Sequence, residues 1–247
     1  MKLLDTKGGN TKLAKTNKGD VYRVAGLSLM PDFKLCPASK AAGCFEGCLK
    51  SAGRGRFANV AKARADKAEF WRNDQPGFLD QLRRELAAFV RSCERAGVKP
   101  AARLNVLSDI AWERTGIIDE FPGVFFYDYT KRAERLGKTP GNYSLMFSYS
   151  GRAQFAGNVA KALETDAPLA VVFRSPEFPR HYLGRPVIDG DISDLDNVKA
   201  GRVVIALKAK GPARRDRSGF VVDLDDTEGE ARALILKGLG QLFAVGA

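Results

Sequence analysis

From residue 100 onward, short runs of strand-forming residues alternate with stretches that can form helices. Predicted strands cover residues 21–30, 102–107, 124–129, 143–149, 169–173 and 203–208, and predicted helices cover residues 57–71, 76–97, 111–120, 151–163 and 227–243. Strands that alternate with helices imply right-handed βαβ crossovers and a mainly parallel sheet. We therefore predict an α/β fold in the form of a partial (β/α) barrel, with an open doubly wound sheet as the alternative.

We expect one folded domain preceded by a short basic arm. Residues 1–19 are polar, carry a lysine every few positions and have no hydrophobic periodicity, which indicates a flexible or loosely docked arm. Residues 20–247 are interpreted as a single α/β domain that contains a cysteine-bearing loop at 34–56. Residues 175–201 contain three prolines and an aspartate-rich segment, which indicates a long loop or a small insertion.

The positive charge of the chain is concentrated in its first part. The formal net charge is +11, and residues 1–100 contain 20 Lys and Arg against 10 Asp and Glu. A field of one sign in one region indicates a polyanionic partner, so we expect a nucleic acid or a phosphorylated small molecule. No basic amphipathic segment and no apolar run of about 20 residues appears, which argues against a membrane. The first residues lack the apolar region of a signal peptide, so we expect a cytoplasmic protein with reduced cysteines.

Three of the four cysteines lie within thirteen residues, directly after the first predicted strand. Cys36, Cys44 and Cys48 have the spacing C-x7-C-x3-C, with Pro37, Gly43 and Gly47 between them. Thiolates held close together repel one another unless a soft metal ion neutralises them.

The number of cysteines bears on which metal they bind. A structural zinc site needs a fourth ligand, from Cys93, His181 or a carboxylate. Three cysteines alone suit a 4Fe-4S cluster with one open iron. The sequence leaves zinc as the alternative to the cluster.

Polar residues near the ends of the predicted strands are candidates for catalysis, because chemistry in a (β/α) barrel collects at the carboxyl ends of the strands. Asp128 lies within an otherwise apolar and aromatic strand, Asn105 lies in the strand before it, and Lys131 follows directly. A buried carboxylate must find a partner or face a polar cavity. The aspartates at 189, 191, 194 and 196 lack the pattern of an EF-hand loop and are interpreted as turn and cap residues. Candidate phosphate or nucleic-acid ligands are the basic residues Lys50, Arg54, Arg56, Lys62, Lys208 and Lys210.

Several segments together resemble the phage and plasmid gene protein 88 domain family. They are LCPASKAAGCFEGCLKSAGRGRF, RLNVLSDIAWE, FFYDYTK, NYSLMFSYS, PVIDGDISDLD and VVIALKAKGPARRDRSGFV, and the resemblance covers roughly residues 10–222. The layout of that family, with three cysteines after the first strand of a parallel α/β fold, is in turn similar to radical S-adenosylmethionine enzymes. The spacing here departs from the C-x3-C-x2-C of those enzymes, and no clear G-G-E-type segment follows the second strand.

The resemblance implies an iron-sulfur protein of phage or plasmid type, in the form of a radical-S-adenosylmethionine-like enzyme that acts on a nucleotide or nucleic acid. It implies a 4Fe-4S cluster on Cys36, Cys44 and Cys48, with S-adenosylmethionine as a further ligand. The alternative is a non-enzymatic, metal-stabilised DNA- or RNA-binding protein of a mobile element.

Overall fold

The structure is a computed structural model that describes residues 1–6, 21–175, 177–224 and 235. The predicted helix at 227–243 and most of the predicted arm at 1–19 lie outside the described residues. A nine-stranded sheet forms the centre of the described part. Its strands are β1 (Leu4–Asp5), β2 (Tyr22–Leu27), β3 (Lys99–Arg103), β4 (Phe125–Thr130), β5 (Tyr143–Ser148), β6 (Leu169–Phe173), β7 (His181–Tyr182), β8 (Arg185–Asp189) and β9 (Val204–Lys208).

The order of the strands follows the chain across most of the sheet. It runs β1-β2-β3-β4-β5-β6-β9-β8-β7, and every neighbouring pair from β2 to β8 is parallel. The end strands β1 and β7 are antiparallel to their neighbours. The chain therefore forms a mixed, mostly parallel α/β sheet, as predicted, and the sheet is open in the described residues. From β2 to β6 the strands advance in one direction, without the reversal at a central strand that defines a doubly wound sheet.

The three longest helices cover one face of this sheet. The described helices are α1 (Ser39–Ala42), α2 (Ala58–Asn73), α3 (Gln75–Arg95), α4 (Ala156–Leu163) and α5 (Asp194–Lys199). In α3, Phe78, Leu82, Leu86, Phe89 and Cys93 are buried at spacings of three and four residues, so this helix forms as predicted. Asp74 caps α3 by accepting a hydrogen bond from the backbone N–H of Gly77 at 2.9 Å.

The opposite face of the sheet carries a second, smaller apolar cluster. Its members come from alternate positions of neighbouring strands, as the two-residue period of a strand requires. Leu195 and Val198 of α5 pack against this face. The strand residues of the cluster are Val24, Ala101, Tyr127, Met146, Ala170 and Ile205.

The predicted strand at 102–107 and the predicted helix at 111–120 differ from the structure, and β3 ends at Arg103. The helix predicted at 111–120 is wrong, because only Trp112–Arg114 forms a single 3-10 turn. Gly116 has a φ of 78°, which ends helical geometry, and Ile117 and Ile118 are buried in the core. The segment at 175–201 is more than a loop, since it supplies the β7–β8 hairpin and α5 and extends the sheet beyond β9.

The first six residues of the predicted arm dock onto the domain. Leu3 and Leu4 are buried, and β1 pairs with β2. The Glu85 carboxylate accepts hydrogen bonds from the backbone N–H groups of both leucines, and Lys67 donates to the carbonyl of Leu3 at 2.7 Å. In the described ranges no helix is long and apolar enough to cross a bilayer.

Candidate functional site

A pocket opens at the carboxyl end of the parallel strands, on the face that carries the smaller apolar cluster. In five strands, the residue two positions after the cluster residue has its side chain in the pocket wall. The pocket has a volume of about 240 Å³. Strand side chains in its wall are Arg103, Tyr129, Ser148, Val172 and Leu207, and the remaining wall includes Cys36, Cys44, Cys48, Asn105, Asp109, Lys131, Asp191, Lys208, Lys210 and Phe220.

The loop after β2 brings all three predicted cysteines to this pocket. Asp32 starts the loop by accepting hydrogen bonds from the backbone N–H groups of residues 34 and 35, each at 2.8 Å. The Ser150 hydroxyl, just after β5, donates to the carbonyl of Ala42 at 2.7 Å and ties the middle of the loop to the sheet. Gly43 ends α1 with a φ of 70°, a backbone conformation that residues other than glycine rarely adopt.

Burial in this loop favours the protonated thiol at Cys36 and Cys48. Burial raises the pKa of the Cys36 thiol well above its usual range, and the charges of Asp109, Cys48 and Cys44 raise it further. Burial likewise raises the pKa of Cys48. All three cysteines belong to the wall of the same pocket. The Cys36 thiol donates to the carbonyl of Leu107 at 3.5 Å, and the Cys44 thiol donates to the carbonyl of Ser39 at 3.8 Å.

As placed, the thiols do not converge on one point. No three His, Cys, Asp or Glu side chains in the described residues stand where they could jointly hold a metal ion. Two of the predicted alternatives for a fourth ligand lie elsewhere, since Cys93 is buried on α3 and His181 is exposed in β7. The third, a carboxylate, is present in the pocket wall as Asp109 and Asp191. The end of α3 leads directly into the start of β3, so Cys93 belongs to the amino end of the strands, opposite the pocket.

Lys131 lies in the pocket wall as a buried amine, as its sequence position predicted. Its Nζ donates a hydrogen bond to the carbonyl of Tyr149 at 2.8 Å and lies 4.5 Å from the centre of the Phe220 ring. Burial lowers the pKa of Lys131 to about 8, against the opposing charges of Cys44 and Asp109. A cation held beside thiols lowers the cost of ionising them.

Asn105 lines the pocket, but its side chain holds the loop that follows β3. Its Oδ1 accepts hydrogen bonds from the Ser108 hydroxyl at 2.8 Å, the Ile110 backbone at 2.9 Å and the Trp112 indole at 3.1 Å. Its Nδ2 donates to the Ile110 carbonyl at 2.8 Å. Both polar atoms of this side chain are therefore used within the loop, and its role is to shape the pocket wall.

The structure places Asp128 behind the pocket rather than in its wall. Asp128 is fully buried, and its carboxylate accepts hydrogen bonds from the backbone N–H of Asn105 at 2.7 Å and from the Tyr143 hydroxyl at 3.0 Å. Burial raises the pKa of Asp128 to about 7, and Arg103 and the two hydrogen bonds oppose that rise. Asp128 was predicted among the site residues, and in the structure it does not line the pocket.

A buried ionic cluster that the sequence did not reveal supports the same loop. Arg135 donates to Asp109 at 2.5 Å and, with two nitrogens, to the two oxygens of Glu113 at 2.9 Å each. Asp109 also accepts hydrogen bonds from the Thr130 hydroxyl and the Lys131 backbone. The cluster joins the loops after β3 and β4 and so fixes the pocket wall between them.

A second buried ion pair holds Arg103, which lines the pocket. Arg103 donates to the carboxylate of Asp194 at 2.9 Å, and the Tyr129 hydroxyl donates to the other oxygen at 2.8 Å. The Arg103 guanidinium also lies 4.6 Å from the centre of the Tyr129 ring. From the sequence, Asp194 is interpreted as a turn or cap residue. The sequence signal that could have revealed the ion pair is an arginine, Arg103, within a strand.

The predicted basic ligands lie in four different places. Lys208 and Lys210 line the pocket, where Lys210 pairs with Asp191 at 2.5 Å. Lys50 lies next to the pocket, with its Nζ 3.9 Å from the centre of the Phe45 ring. The exposed pair Arg54 and Arg56 lies in a 3-10 turn after the cysteine loop.

Lys62 belongs to neither the pocket wall nor that turn. It lies on the exposed side of α2 and pairs with Asp66 at 2.8 Å.

The comparisons with known proteins give one match. The model of a family described as gene product 88 matches residues 2–224. No curated protein matches the chain, and no solved structure matches it.

Proposed function

The chain belongs to the gene product 88 family of phage gene products, and from that premise we propose that it is an iron-sulfur enzyme acting on a nucleotide or a nucleic acid. One observation carries the proposal: three cysteine side chains from one loop line a single pocket at the carboxyl end of a parallel sheet. Ligands and catalytic groups in parallel α/β folds collect at that end of the strands.

The donor set in the pocket fits a cluster better than a structural zinc ion. Cys36, Cys44 and Cys48 are soft donors, and two candidates for a fourth zinc ligand, Cys93 and His181, lie away from the pocket. The carboxylates that line the pocket, Asp109 and Asp191, are paired with Arg135 and Lys210. Three thiolates hold a 4Fe-4S cluster and leave one iron open to a substrate or second ligand. Binding requires the thiols to turn from their carbonyl partners into the pocket and to lose their protons.

Cations around the pocket support the ionised form of the cysteines. Burial lowers the pKa of Lys131 and of Arg64, and the charges of Cys44 and Cys48, respectively, oppose that lowering. Arg64 is fixed in place by donating to the carbonyl of Lys50 at 2.9 Å. In a partly buried site these cations offset part of the negative charge of the three thiolates.

The surrounding residues favour a phosphorylated substrate with a flat apolar part. A bound cluster supplies one-electron chemistry or a Lewis-acidic iron. Lys208 and Lys210 at the mouth hold phosphate, and Phe45 and Phe220 in the wall contact a base or another planar group. S-adenosylmethionine is the further ligand we propose for the open iron, and the chain-ordered parallel strands suit the partial barrel of enzymes that use it.

The test is metal analysis of protein purified without oxygen. We expect iron and acid-labile sulfide in a ratio near one, a brown colour, and a change in the electron paramagnetic spectrum when S-adenosylmethionine is added. Single replacements Cys36→Ser, Cys44→Ser and Cys48→Ser should each lower the iron content, whereas Cys93→Ala should retain it. Colourless protein with one tightly bound zinc ion would overturn the cluster.

A second candidate function is favoured by the exposed pair Arg54 and Arg56, which lies outside the pocket. In that case the metal only stabilises the cysteine loop and the protein binds DNA or RNA without catalysis. A cluster whose spectrum does not respond to S-adenosylmethionine or to any nucleotide would favour this candidate.

A further inference from the structure

Two basic segments that are far apart in the sequence meet beside the mouth of the pocket. Residues 49–57 contain three cations and no acidic residue, and residues 208–217 contain five cations and one acidic residue. We call these two segments together the basic rim. Its cations are Lys50, Arg54, Arg56, Lys208, Lys210, Arg214, Arg215 and Arg217.

The two segments of the rim lie close together. A Cβ atom on Gly211 would lie only 2.9 Å from the Cβ of Ala52. The cysteine loop packs on the same segment, because a Cβ on Gly47 would lie 3.3 Å from the Phe220 ring and 3.5 Å from the Cα of Ala213. The two basic segments therefore lie side by side at the mouth of the pocket.

Lys210 pairs with Asp191 of the pocket wall, but little negative charge opposes the arginines of the rim. Asp216, its one acidic residue, is buried and accepts hydrogen bonds from the Ser218 hydroxyl at 2.7 Å and the Val221 backbone at 3.1 Å. Arg54, Arg56, Arg214, Arg215 and Arg217 are exposed. A surface of this kind attracts a chain of phosphates.

Exposed aromatic rings accompany the charge. Phe57 is 50% exposed at the end of the first segment, with the Arg56 guanidinium 5.6 Å from its ring centre. Phe33 is 52% exposed, and its ring centre lies 4.6 Å from that of Phe45, which lines the pocket. Aromatic rings beside cations bind single strands, because unpaired bases stack on them while the backbone follows the charge.

We infer that the basic rim binds single-stranded nucleic acid and leads it across the mouth of the pocket. This inference names the substrate class and so rests on the proposed function for its use, but the binding itself does not need the cluster. Single strands are favoured over a duplex because the rings can reach only unpaired bases, and the pocket is large enough to receive a group turned out of the strand.

The test is fluorescence anisotropy with a labelled single-stranded oligothymidylate, measured at several salt concentrations. Arg54→Gln with Arg56→Gln, and separately Arg214→Gln with Arg215→Gln, should each weaken binding and lower the salt slope by about 0.7 for every phosphate that the variant no longer neutralises. Phe57→Leu should weaken binding by roughly tenfold at an unchanged salt slope. A duplex of the same length should bind more weakly than the single strand.

The matched control removes two exposed arginines from the other end of the strands. Arg91→Gln with Arg95→Gln, on α3, should leave both affinity and salt slope unchanged. Binding that is equal for duplex and single strand, or that neither rim double variant changes, would overturn the inference. Binding to anionic lipid vesicles but not to the oligonucleotide would also overturn it and assign the rim to a membrane surface.

A further variant separates this inference from the proposed function. Protein with Cys36, Cys44 and Cys48 all replaced by serine should bind the oligonucleotide with unchanged salt slope, although it holds no iron. If that variant binds while wild-type protein contains no cluster, the rim stands and the iron-sulfur proposal fails. A folded triple variant that no longer binds would show that binding depends on the loaded cysteine loop and would overturn the rim as stated.

Discussion

The carboxylate of Asp128 accepts a hydrogen bond from the backbone N–H of Asn105 across 2.7 Å, which links the centre of β4 to the loop after β3. Burial raises the pKa of Asp128 from 3.8 to about 7. The folded protein therefore holds this proton more tightly than the unfolded chain. The stability that this proton contributes is complete below about pH 4 and is lost as the pH rises through about 7.

We predict that Asp128→Asn removes this dependence of stability on pH. The free energy of unfolding of the wild type should fall relative to the variant between about pH 4 and 7, by about 1.4 kcal/mol for each unit of the pKa shift that acts. Urea unfolding over this pH range measures the difference. Two parallel curves would show that Asp128 titrates alike in the folded and unfolded chain.

The ion pair between Arg103 and Asp194 gives a second prediction. Arg103→Met alone, or Asp194→Leu alone, leaves a buried charge without its partner and should cost about 3–5 kcal/mol. The double variant should cost less than the sum of the two, by about 1–3 kcal/mol. Unfolding free energies of all four proteins form the cycle, and simple additivity would mean that the two side chains act independently.

Gly55 gives a third prediction. A Cβ there would lie 2.3 Å from the carbonyl oxygen of Lys50, so Gly55→Ala must displace the turn after the cysteine loop. We expect a loss of about 1–3 kcal/mol in stability. Gly157→Ala is the matched control, because its Cβ meets open space within α4 and should stabilise the helix by about 0.5–1 kcal/mol. Equal melting temperatures for the two variants would contradict the crowding at Gly55.

The docked first residues give a fourth prediction. Leu3 is completely buried, so Leu3→Ala should cost about 2–5 kcal/mol. Ile192→Ala, at a side chain that is 71% exposed, should change stability by less than about 0.5 kcal/mol. If thermal unfolding finds Leu3→Ala as mild as Ile192→Ala, the first strand does not contribute to the fold.

Local patterns were sufficient to predict most of the sheet. The run at 169–173 is β6 to the residue, the run at 203–208 begins one residue before β9, and the run at 124–129 is displaced from β4 by one residue at each end. β1 was missed because two residues carry no periodicity, and it forms only through the tertiary contacts of Leu3 and Leu4. The helix predicted at 111–120 fails because the side chains of Asn105 and Arg135 hold that segment in another conformation.

At the site, the spacing of the three cysteines indicated that they act together, but it could not predict which residues surround them. Cys36, Cys44 and Cys48 reach one pocket because a single loop carries them. Arg103 and Asp194 are 91 residues apart in the sequence. They meet because α5 packs on the face of the sheet that carries the smaller apolar cluster. Arg135 lies in a segment that looks like an ordinary charged loop, and its burial depends on two carboxylates from another connection.

The two ends of the sheet have a consequence for how the protein behaves in concentrated solution. An open sheet with a long, flat end strand offers unpaired backbone groups to a second chain and promotes aggregation. Here β1 and β7, the end strands of the described sheet, are only two residues long. Each pairs with two residues of its longer neighbour, β1 with Gly26 and Leu27 of β2 and β7 with Arg185 and Pro186 of β8. The sheet can therefore remain open around its pocket while offering few sites for edge-to-edge association.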